Sequence, residues 1–342
     1  MKGNSYFDAL PAYPGGKRRL LPHILRHLPP ATEAPRVADP FFGGGSVSLM
    51  LKARGHEVVA CDIAERSYLA ARALVENDGQ RVTDDDRLRL LEPRDVRPFV
   101  AQHFAPRFIS TRHAQAADLM LTNLDHFEDP LKRDLMKYAV LKYLLALMPF
   151  NQFSASGSYW EPLAEGDFDQ IREPYHVHLK DAFLAPATLL RRIARVINRG
   201  VFGNGRQNGV ARADVFDFLA SMGEIDVLYL DPPYAGTLAY EKEFARLDQI
   251  LALDLDAVLP ISAFSQAGAL RQVERLFELT TNIPVTILSY GNAEVSLEEL
   301  TAIVRRHRSK VEAQELRYRH MANRAGAAKN ETNREYLIVA RA

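Results

Sequence analysis

The sequence has few of the features that several protein classes require. Cys61 is the single cysteine among 342 residues, which excludes an internal disulfide and a cysteine-rich zinc site. No uninterrupted apolar run is long enough to span a bilayer, and residues 1–10 contain no apolar core of the length that a signal peptide needs. We therefore expect a soluble, cytoplasmic protein with no membrane partner.

The sequence also has no net charge, because 43 Lys and Arg residues balance 43 Asp and Glu residues. Total charge thus gives no argument for a polyanionic partner, but the distribution of charge does. Residues 186–213 contain six arginines and no acidic residue, and residues 305–341 contain ten Lys or Arg against four Glu. The two basic segments predict one electropositive face. For either segment alone, a solvated helix face is an equally good interpretation.

What the sequence does contain is an apolar run that ends in a stiff polar loop. Residues 227–234 read Val-Leu-Tyr-Leu-Asp-Pro-Pro-Tyr. The first four can fill the core of a parallel sheet, while Pro232 and Pro233 fix two φ angles and cannot donate to a neighbouring strand. The Asp231 carboxylate and the Tyr234 ring are therefore predicted to lie at the carboxyl end of a strand, where open α/β sheets bind ligands.

A glycine-rich turn follows an earlier predicted strand. Residues 37–51 have the pattern of a short strand containing Asp39, a turn, and an apolar helix. Gly43 to Gly45 let the backbone approach a ligand closely, and we expect Ser46 to cap the helix. The turn matches neither the Gly-Lys-Ser/Thr nor the Gly-x-Gly-x-x-Gly pattern of phosphate sites. It therefore favours a nucleotide-like cofactor without a pyrophosphate.

Two further segments supply polar groups to the same predicted pocket. Residues 57–62 form a second predicted strand, with Asp62 at its carboxyl end. In doubly wound folds an acid about twenty residues past the glycine turn binds ribose hydroxyls, and we favour that role over a helix cap. Residues 12–21 place Lys17 after a glycine turn, where backbone amides and the ammonium favour a negative group. Taken alone, this segment is typical of an ordinary turn before a surface helix.

The rest of the chain is predicted from its hydrophobic period. Regular strand patterns lapse between residues 76 and 212, where residues 114–147 have apolar side chains at helical spacing. Residues 149–160 are aromatic and amide-rich, and they either read base edges or form a loop anchored in a local core. Further predictions are strands at residues 255–264, 283–290 and 335–340, a helix at 269–279 and a mobile basic loop at 317–333.

In this order, the segments resemble the Dam-type DNA adenine-N6 methyltransferases, the D12 class, alpha group. The marks of that family are a Gly-Gly-Lys near the N-terminus, a Phe-x-Gly-x-Gly turn and an Asp-Pro-Pro-Tyr loop. Here they correspond to residues 15–17, 41–45 and 231–234. Each mark is weak or moderate alone, whereas all three in this order are specific, and they bracket roughly residues 12–240.

The resemblance implies an α/β fold, a Rossmann-like S-adenosylmethionine-dependent methyltransferase sheet with an inserted, mainly helical target-recognition domain. On this basis residues 1–76 and 206–342 would form the catalytic domain and residues 77–205 the inserted region. The implied function is a site-specific enzyme that methylates the N6 amine of a flipped adenine in double-stranded DNA. S-adenosylmethionine would be the donor, S-adenosylhomocysteine the product, and no metal would take part.

The resemblance also implies roles at matching positions. The amine would donate hydrogen bonds to the Asp231 carboxylate and the Pro232 carbonyl, while Tyr234 would stack on the flipped base; with Pro233 these residues form the expected catalytic loop. Tyr13 stands where the family often has tryptophan. The expected donor pocket consists of Tyr13, Lys17, Asp39, Phe41, Gly43, Gly45, Ser46, Asp62, Asp214, Val215 and Asp231.

DNA contacts are expected from the aromatic, amide-rich loop and from the basic segments around residues 191–212 and 305–334. Basic side chains on phosphates would give affinity that falls with salt but little sequence specificity. The expected DNA-binding side chains are Asn151, Gln152, Arg191, Arg195, Arg199, Arg206, Arg324 and Lys329.

Two other interpretations stay open at this point. One is a methyltransferase for another planar amine or amide, such as adenine in RNA, cytosine N4 or a protein glutamine. Relatives with the last two activities usually carry Ser or Asn, respectively, at the position of Asp231. The other is a methyltransferase-fold DNA-binding subunit of a defence or restriction-modification system, with weak or no turnover. Expected partners are double-stranded DNA and a cognate nuclease or defence subunits, with the chain a monomer or weak dimer.

Overall fold

The structure, a computed structural model, describes residues 5–13, 15–148, 180–234, 240–257, 262–265, 268–292, 295–317 and 333–342, except the side chains of 240–243 and 265. The strands are β1 (Arg36–Asp39), β2 (Glu57–Cys61), β3 (Gly209–Ala211), β4 (Val227–Leu230), β5 (Val285–Gly291), β6 (Lys310–Arg317) and β7 (Arg334–Arg341).

The α-helices are α1 (Leu21–Leu25), α2 (Ser46–Ala53), α3 (Glu65–Ala71), α4 (Asp84–Leu90), α5 (Phe99–Phe104), α6 (Thr111–Thr122), α7 (Pro130–Ala146), α8 (Pro186–Gly200), α9 (Val215–Ser221), α10 (Tyr240–Ala252), α11 (Ala269–Leu279) and α12 (Leu297–Arg305). Short 3₁₀ turns and one π-helical turn, Arg72–Glu76, connect some of them.

One of two compact units contains the sheet. It comprises Tyr13–Ala71, Gly203–Ala239 and Pro260–Ala342. The strand order is β3-β2-β1-β4-β5-β7-β6, and among the described pairings only those of β7 are antiparallel. The predicted α/β fold with a mostly parallel sheet is confirmed.

The order of the strands determines where a ligand site is expected. From β1 the chain builds the sheet outward to β3, and from β4 it continues in the opposite direction. The switch point therefore lies between β1 and β4, which pair with Ala38 opposite Leu228. Asp39 ends β1 and Asp231 follows β4, so both acids lie at the edge where doubly wound sheets bind ligands.

Burial explains which strands the sequence predicts well. All four residues of β4 are buried, as expected for a central parallel strand covered on both faces. β6 is an edge strand whose residues are all exposed or only half-buried, and most of them are polar. Charged side chains discourage pairing of an edge with another chain. Because β6 has few apolar residues, the hydrophobic pattern did not predict it.

The other unit is helical and comprises Met1–Ala12, Arg72–Phe202 and Tyr240–Leu259. Its core is built around α7, whose residues Tyr138, Leu144 and several others are fully buried. The Tyr138 hydroxyl donates to the Ala9 carbonyl at 2.6 Å. A Cβ at Gly200, the last residue of α8, would collide with the side chain of Ala9. The N-terminal residues therefore belong to this helical core, while the predicted domain boundaries remain a prediction.

Two predicted elements differ from those observed. The helical segment 114–147 is interrupted by the 3₁₀ turn Asn123–His126, and α7 starts anew with Asp129 as its capping residue and Pro130 in its first turn. The prediction of a strand at residues 255–264 is wrong for the described part of that segment. There the Asp256 amide donates to the Asp254 carboxylate at 3.0 Å, a turn that competes with an extended strand.

Candidate active site

The loop after β4 carries a carboxylate that is held by a buried lysine. The Asp231 side chain is 19% exposed, and its Oδ1 lies 2.8 Å from the Nζ of Lys17, whose side chain is 5% exposed. The Tyr234 hydroxyl lies 3.3 Å from the same Oδ1. The prediction that residues 231–234 present a fixed polar group at a strand end therefore agrees with the geometry.

Lys17 reaches this position through the glycine turn that precedes it. Gly15 has a φ of 78°, a left-handed value that favours glycine. The Gly16 amide donates to the Tyr13 carbonyl at 3.2 Å, and Lys17 Nζ donates to the Gly15 carbonyl at 2.9 Å. The ammonium also lies 5.1 Å from the centre of the Tyr234 ring. The turn thus directs the ammonium inward, rather than forming an ordinary turn before a surface helix.

A second carboxylate, Glu335 at the start of β7, completes the cluster. Its side chain is fully buried, and its Oε1 lies 3.5 Å from Lys17 Nζ. The same oxygen accepts a hydrogen bond from the Tyr234 hydroxyl at 2.5 Å. The sequence patterns did not predict this residue as part of the site. The available signal was an acid beside an otherwise apolar strand, residues 336–340.

Burial sets the protonation of the acids at the switch point. Burial raises the pKa of Asp231 to about 6; the neighbouring Lys17 charge lowers it and the Glu335 charge raises it. Burial likewise raises the pKa of Asp39 to about 7, although a hydrogen bond from Ser48 opposes the shift. Asp231 is therefore mostly ionised at neutral pH, whereas Asp39 is poised between its two forms.

The glycine turn is packed too tightly for side chains. Gly43 and Gly45 have φ values of 51° and 73°. A Cβ at Gly45 would collide with the Phe42 ring, and a Cβ at Gly44 would lie 2.6 Å from the Cβ of Tyr13. Glycine is therefore required at all three positions, including Gly44, which the family pattern leaves variable. The Tyr13 side chain lies against this turn.

Asp62 ties the end of β2 to the glycine turn. Its carboxylate accepts from the Gly43 amide at 2.8 Å and from the Ala64 amide at 2.9 Å. Burial raises the pKa of Asp62, and these two hydrogen bonds lower it. The side chain is half-buried, so carboxylate lone pairs remain for a further donor. The structure brings Asp62 and Gly43 together as the predicted pocket requires.

Two residues predicted for the donor pocket, Asp39 and Ser46, flank the glycine turn. Asp39 is 1% exposed and accepts from the Ser48 hydroxyl at 2.6 Å and from the Phe41 amide at 3.3 Å. The prediction that Ser46 caps α2 is wrong: Gly45 is the capping residue and no side chain caps the helix. With Gly45 in a left-handed conformation, Ser46 is instead the first residue of the helix. Cofactor contacts of both residues stay predictions.

An aromatic cluster lies near the end of β3. Phe264 packs edge-on against Phe41 at 5.3 Å between ring centres and is stacked on Phe216 at 6.1 Å. Asp214 is exposed and caps α9 by accepting from the Phe216 amide at 2.9 Å. Val215 is 6% exposed and part of the apolar core. Asp214 and these rings therefore form a polar edge beside an aromatic surface.

The predicted DNA-binding residues fall into three groups. Arg191, Arg195 and Arg199 are exposed on α8 in the helical unit. Arg206 is exposed in the sheet unit, where its Nε donates to the Gly55 carbonyl at 3.2 Å. The remaining predicted residues, Asn151, Gln152, Arg324 and Lys329, lie outside the described residues.

One basic residue of the C-terminal segment is not a surface charge. Arg308 is 4% exposed, and it donates to the carbonyls of Thr280, Thr281 and Ile283 and to the Thr286 hydroxyl. The expectation that this whole segment contacts phosphates is therefore wrong at Arg308, because the guanidinium satisfies buried oxygens. In the described ranges, no helix is long and apolar enough to cross a membrane.

Two comparisons show which known proteins the chain resembles. Residues 13–147 match the family model of D12 class N6 adenine-specific DNA methyltransferases. The matched region includes Lys17, the glycine turn and Asp62. Over 333 residues the chain is also 25% identical to the type II methyltransferase M2.HphI of Haemophilus parahaemolyticus, and the alignment covers 96% of each protein. The second alignment extends the similarity well beyond the residues that the family model matches.

Proposed function

We propose that this chain, which is a D12 class N6 adenine-specific DNA methyltransferase, transfers its methyl group at the carboxyl end of β4. In this proposal S-adenosylmethionine is the donor, and the acceptor is the N6 amine of an adenine flipped out of double-stranded DNA. The observation that supports the proposal most directly is the Asp231 carboxylate, which lies at the switch point of the sheet beside the buried ammonium of Lys17.

The residue types of the loop suit an amine acceptor. An exocyclic adenine amine is a poor nucleophile because its lone pair is delocalised into the ring. Hydrogen bonds to the Asp231 carboxylate and the Pro232 carbonyl would favour a tetrahedral nitrogen and free the lone pair. Because Pro232 and Pro233 have no N–H, they offer only acceptors. With a pKa of about 6, Asp231 can also take the proton that the methylated amine loses.

The strand ends fit the donor that we propose. The glycine turn packs against the Tyr13 side chain, and Asp62 keeps acceptor capacity for ribose hydroxyls at the end of β2. Asp214, the exposed capping residue of α9, and Val215 would lie near the adenine of the donor. S-adenosylmethionine would supply a methyl group on a positively charged sulfur, which is the driving force for transfer.

Tyr234 has an anchoring role in addition to the proposed stacking role. The residue is 7% exposed, and the centre of its ring lies 5.0 Å from that of the Tyr290 ring. A Cβ at Gly291 would lie 2.6 Å from the same ring, so glycine makes room for it. With its hydroxyl on Glu335, Tyr234 holds the end of the loop in place. Because Tyr234 is buried, stacking of the flipped adenine on its ring stays a prediction.

DNA contacts and biological context are the remaining parts of the proposal. The exposed arginines of α8 would bind phosphates, and sequence choice would reside mainly in residues 77–205. Because the relative M2.HphI is a type II methyltransferase, we propose that this chain too belongs to a restriction-modification system with a cognate nuclease.

Genome-wide mapping tests the proposed reaction. The protein would be expressed in a host without DNA methylation, and modified bases would be located by long-read sequencing. We expect N6-methyladenine at one discrete sequence motif. Absence of any modified base in DNA from cells that contain folded protein would contradict the proposal, and so would methylation of cytosine in place of adenine.

A loop variant assigns the reaction to the proposed site. Asp231→Ala should abolish methylation while retaining most of the affinity for DNA, measured as gel shift with a duplex that contains the motif. Asp256→Ala serves as a matched control, because Asp256 is an exposed turn acid. Normal turnover by Asp231→Ala would remove Asp231 from the proposed chemistry.

A further inference from the structure

In the part of the chain that the structure describes, the buried cluster at the switch point contains more negative than positive charge. Among the described residues, its carboxylates Asp231 and Glu335 form ion pairs with one cation, Lys17, at 2.8 Å and 3.5 Å. With both carboxylates ionised, the three groups together carry one negative charge. Burying an uncompensated charge is costly, and a cationic ligand beside it would be stabilised.

Glu335 is the source of the excess, because the ammonium that lies 3.5 Å from it, that of Lys17, is already paired with Asp231 at 2.8 Å. Its Oε1 accepts from the Tyr234 hydroxyl. Its Oε2 is buried, and no donor in the described part of the chain reaches it. A neutral glutamine could accept the same hydrogen bond from Tyr234. A buried carboxylate with one unpaired oxygen therefore indicates a role for the charge itself.

The Tyr234 hydroxyl supports this assignment. A phenol has one proton to donate, and the hydroxyl lies 2.5 Å from Glu335 and 3.3 Å from Asp231. The proton therefore belongs to the bond with Glu335. The lone pairs of the Asp231 carboxylate therefore remain available to accept from the amine of the substrate, while its negative charge is paired with the Lys17 ammonium.

We propose that Glu335 makes this site prefer a cationic methyl donor over the neutral product, by leaving the Lys17 and Asp231 pair with one additional negative charge. The inference rests on the proposed function and deepens it. During transfer, the bond from sulfur to the methyl carbon breaks and its electron pair stays on sulfur, while the amine lone pair forms the new bond to carbon. The sulfur thus becomes neutral, and the attraction from Glu335 that favours the donor is lost when the product forms.

Binding measurements with three probes test the proposal without any methyl transfer. S-adenosylmethionine carries a cationic sulfur, sinefungin carries an ammonium at the corresponding place, and S-adenosylhomocysteine is neutral there. Affinities of the full chain would be measured by calorimetry at pH 7.5. Because removal of one nearby charge in a screened site changes ion binding by about tenfold, Glu335→Gln should weaken both cationic probes by about tenfold relative to the neutral one.

Two further variants separate the charge of Glu335 from its shape and its hydrogen bond. Glu335→Asp keeps the charge, so its ratio of affinities for S-adenosylmethionine and S-adenosylhomocysteine should stay near that of the wild type even if all three affinities fall. Tyr234→Phe removes the hydrogen bond and keeps the charge, and it too should preserve the ratio. Glu312→Gln, on the exposed edge strand β6, is the matched control and should change none of the affinities.

The outcomes distinguish this inference from the function on which it rests. If Glu335→Gln weakens all three probes equally, or none, the charge of Glu335 does not select the donor and the inference is wrong. The inference would also be wrong if Tyr234→Phe reduced the ratio of the affinities for S-adenosylmethionine and S-adenosylhomocysteine as much as Glu335→Gln does. If the wild-type protein binds none of the three probes, the proposed function itself fails.

Discussion

Two buried cations in the sheet unit differ in the oxygens that surround them. Lys17 and Arg308 are each 4% exposed, although neither residue type is usually buried. Lys17 faces the carboxylates of Asp231 and Glu335. Arg308 donates to uncharged oxygens only among its described partners, which are the carbonyls of Thr280, Thr281 and Ile283 and the hydroxyl of Thr286.

The difference shows how partners decide what a buried charge does. The guanidinium of Arg308 has donors in fixed directions and satisfies carbonyls that follow the end of α11, a place that also favours positive charge. Its partners do not titrate near neutral pH. Lys17 is a compact charge, and its partner Asp231 has a pKa of about 6. Although the two residues are equally buried, the partners of Arg308 indicate a role in stability, whereas those of Lys17 indicate a role in the chemistry of the site.

The largest effect should come from Arg308→Met, and it should be an effect on stability. The substitution leaves several buried oxygens without donors, so we expect a loss of about 3 kcal/mol or more in the free energy of unfolding. Urea denaturation measures the loss, with Arg306→Met, an exposed neighbour, as the nearly neutral control. Normal activity per folded molecule is expected. A stable but inactive variant would place Arg308 in the same category as Lys17.

Lys17→Met should have the complementary effect, on activity. Removal of the ammonium takes away the charge that lowers the pKa of Asp231, so less of the carboxylate is ionised. We expect a loss of about 100-fold in turnover at neutral pH, part of which returns at higher pH. Initial methylation rates across a pH series measure it, with the exposed Arg18→Met as control. A loss that is the same at every pH would contradict this explanation.

The pH dependence of the wild-type protein tests separately how the Asp231 carboxyl affects turnover and how it affects stability. Because its pKa is about 6, turnover should fall about tenfold for each pH unit below 6. The pKa of Asp231 in the folded state lies above the ordinary value of an aspartate in the unfolded chain. Between these two pKa values the folded state therefore binds more protons than the unfolded state. As the pH falls from about 7 to 4, protonation of Asp231 thus favours folding. Wild type should therefore gain stability relative to Asp231→Asn upon acidification. A relative loss would show that the carboxyl is ionised throughout this range.

The smallest effect should come from an exposed cation. Arg195→Ala on α8 should leave stability nearly unchanged and lower the slope of log affinity for DNA against log salt concentration by about 0.9. Filter binding at several salt concentrations measures the slope. Arg54, exposed after α2 and outside the basic segments, is the control. An unchanged slope in Arg195→Ala would identify the arginines of α8 as a solvated face.

Local sequence patterns predicted much of the site. The Asp-Pro-Pro-Tyr loop, the glycine turn and Asp62 each follow a strand whose apolar residues reveal it. Parallel neighbours present their carboxyl ends at one edge of a sheet, so the acids that follow β2 and β4 could be assigned to one edge from the sequence alone. The mostly parallel α/β fold, confirmed here, follows from the same strands.

Glu335 could not be predicted in this way because its position depends on strand direction. β7 runs antiparallel between β5 and β6, and this direction brings its first residues to the edge where the parallel strands end; Glu335 pairs with Gly291, the last residue of β5. The residues of a strand do not reveal whether it runs parallel or antiparallel to its neighbours in the sheet. Arg308 was misassigned for a related reason, since the carbonyls that it binds become neighbours only after α11 and β5 have formed.

The contact between Gly200 and Ala9 has a consequence for transplanting residues 77–205, the proposed target-recognition region, between related enzymes. The helical unit is assembled from three separate stretches of chain, and its first twelve residues come from the N-terminus. Gly200 contacts Ala9 so closely that a Cβ at position 200 does not fit. A hybrid that transplants residues 77–205 alone would place Gly200 against the residue that the recipient protein carries at position 9. The transplantable module is therefore discontinuous, and residues 1–12 and 240–259 should travel with it.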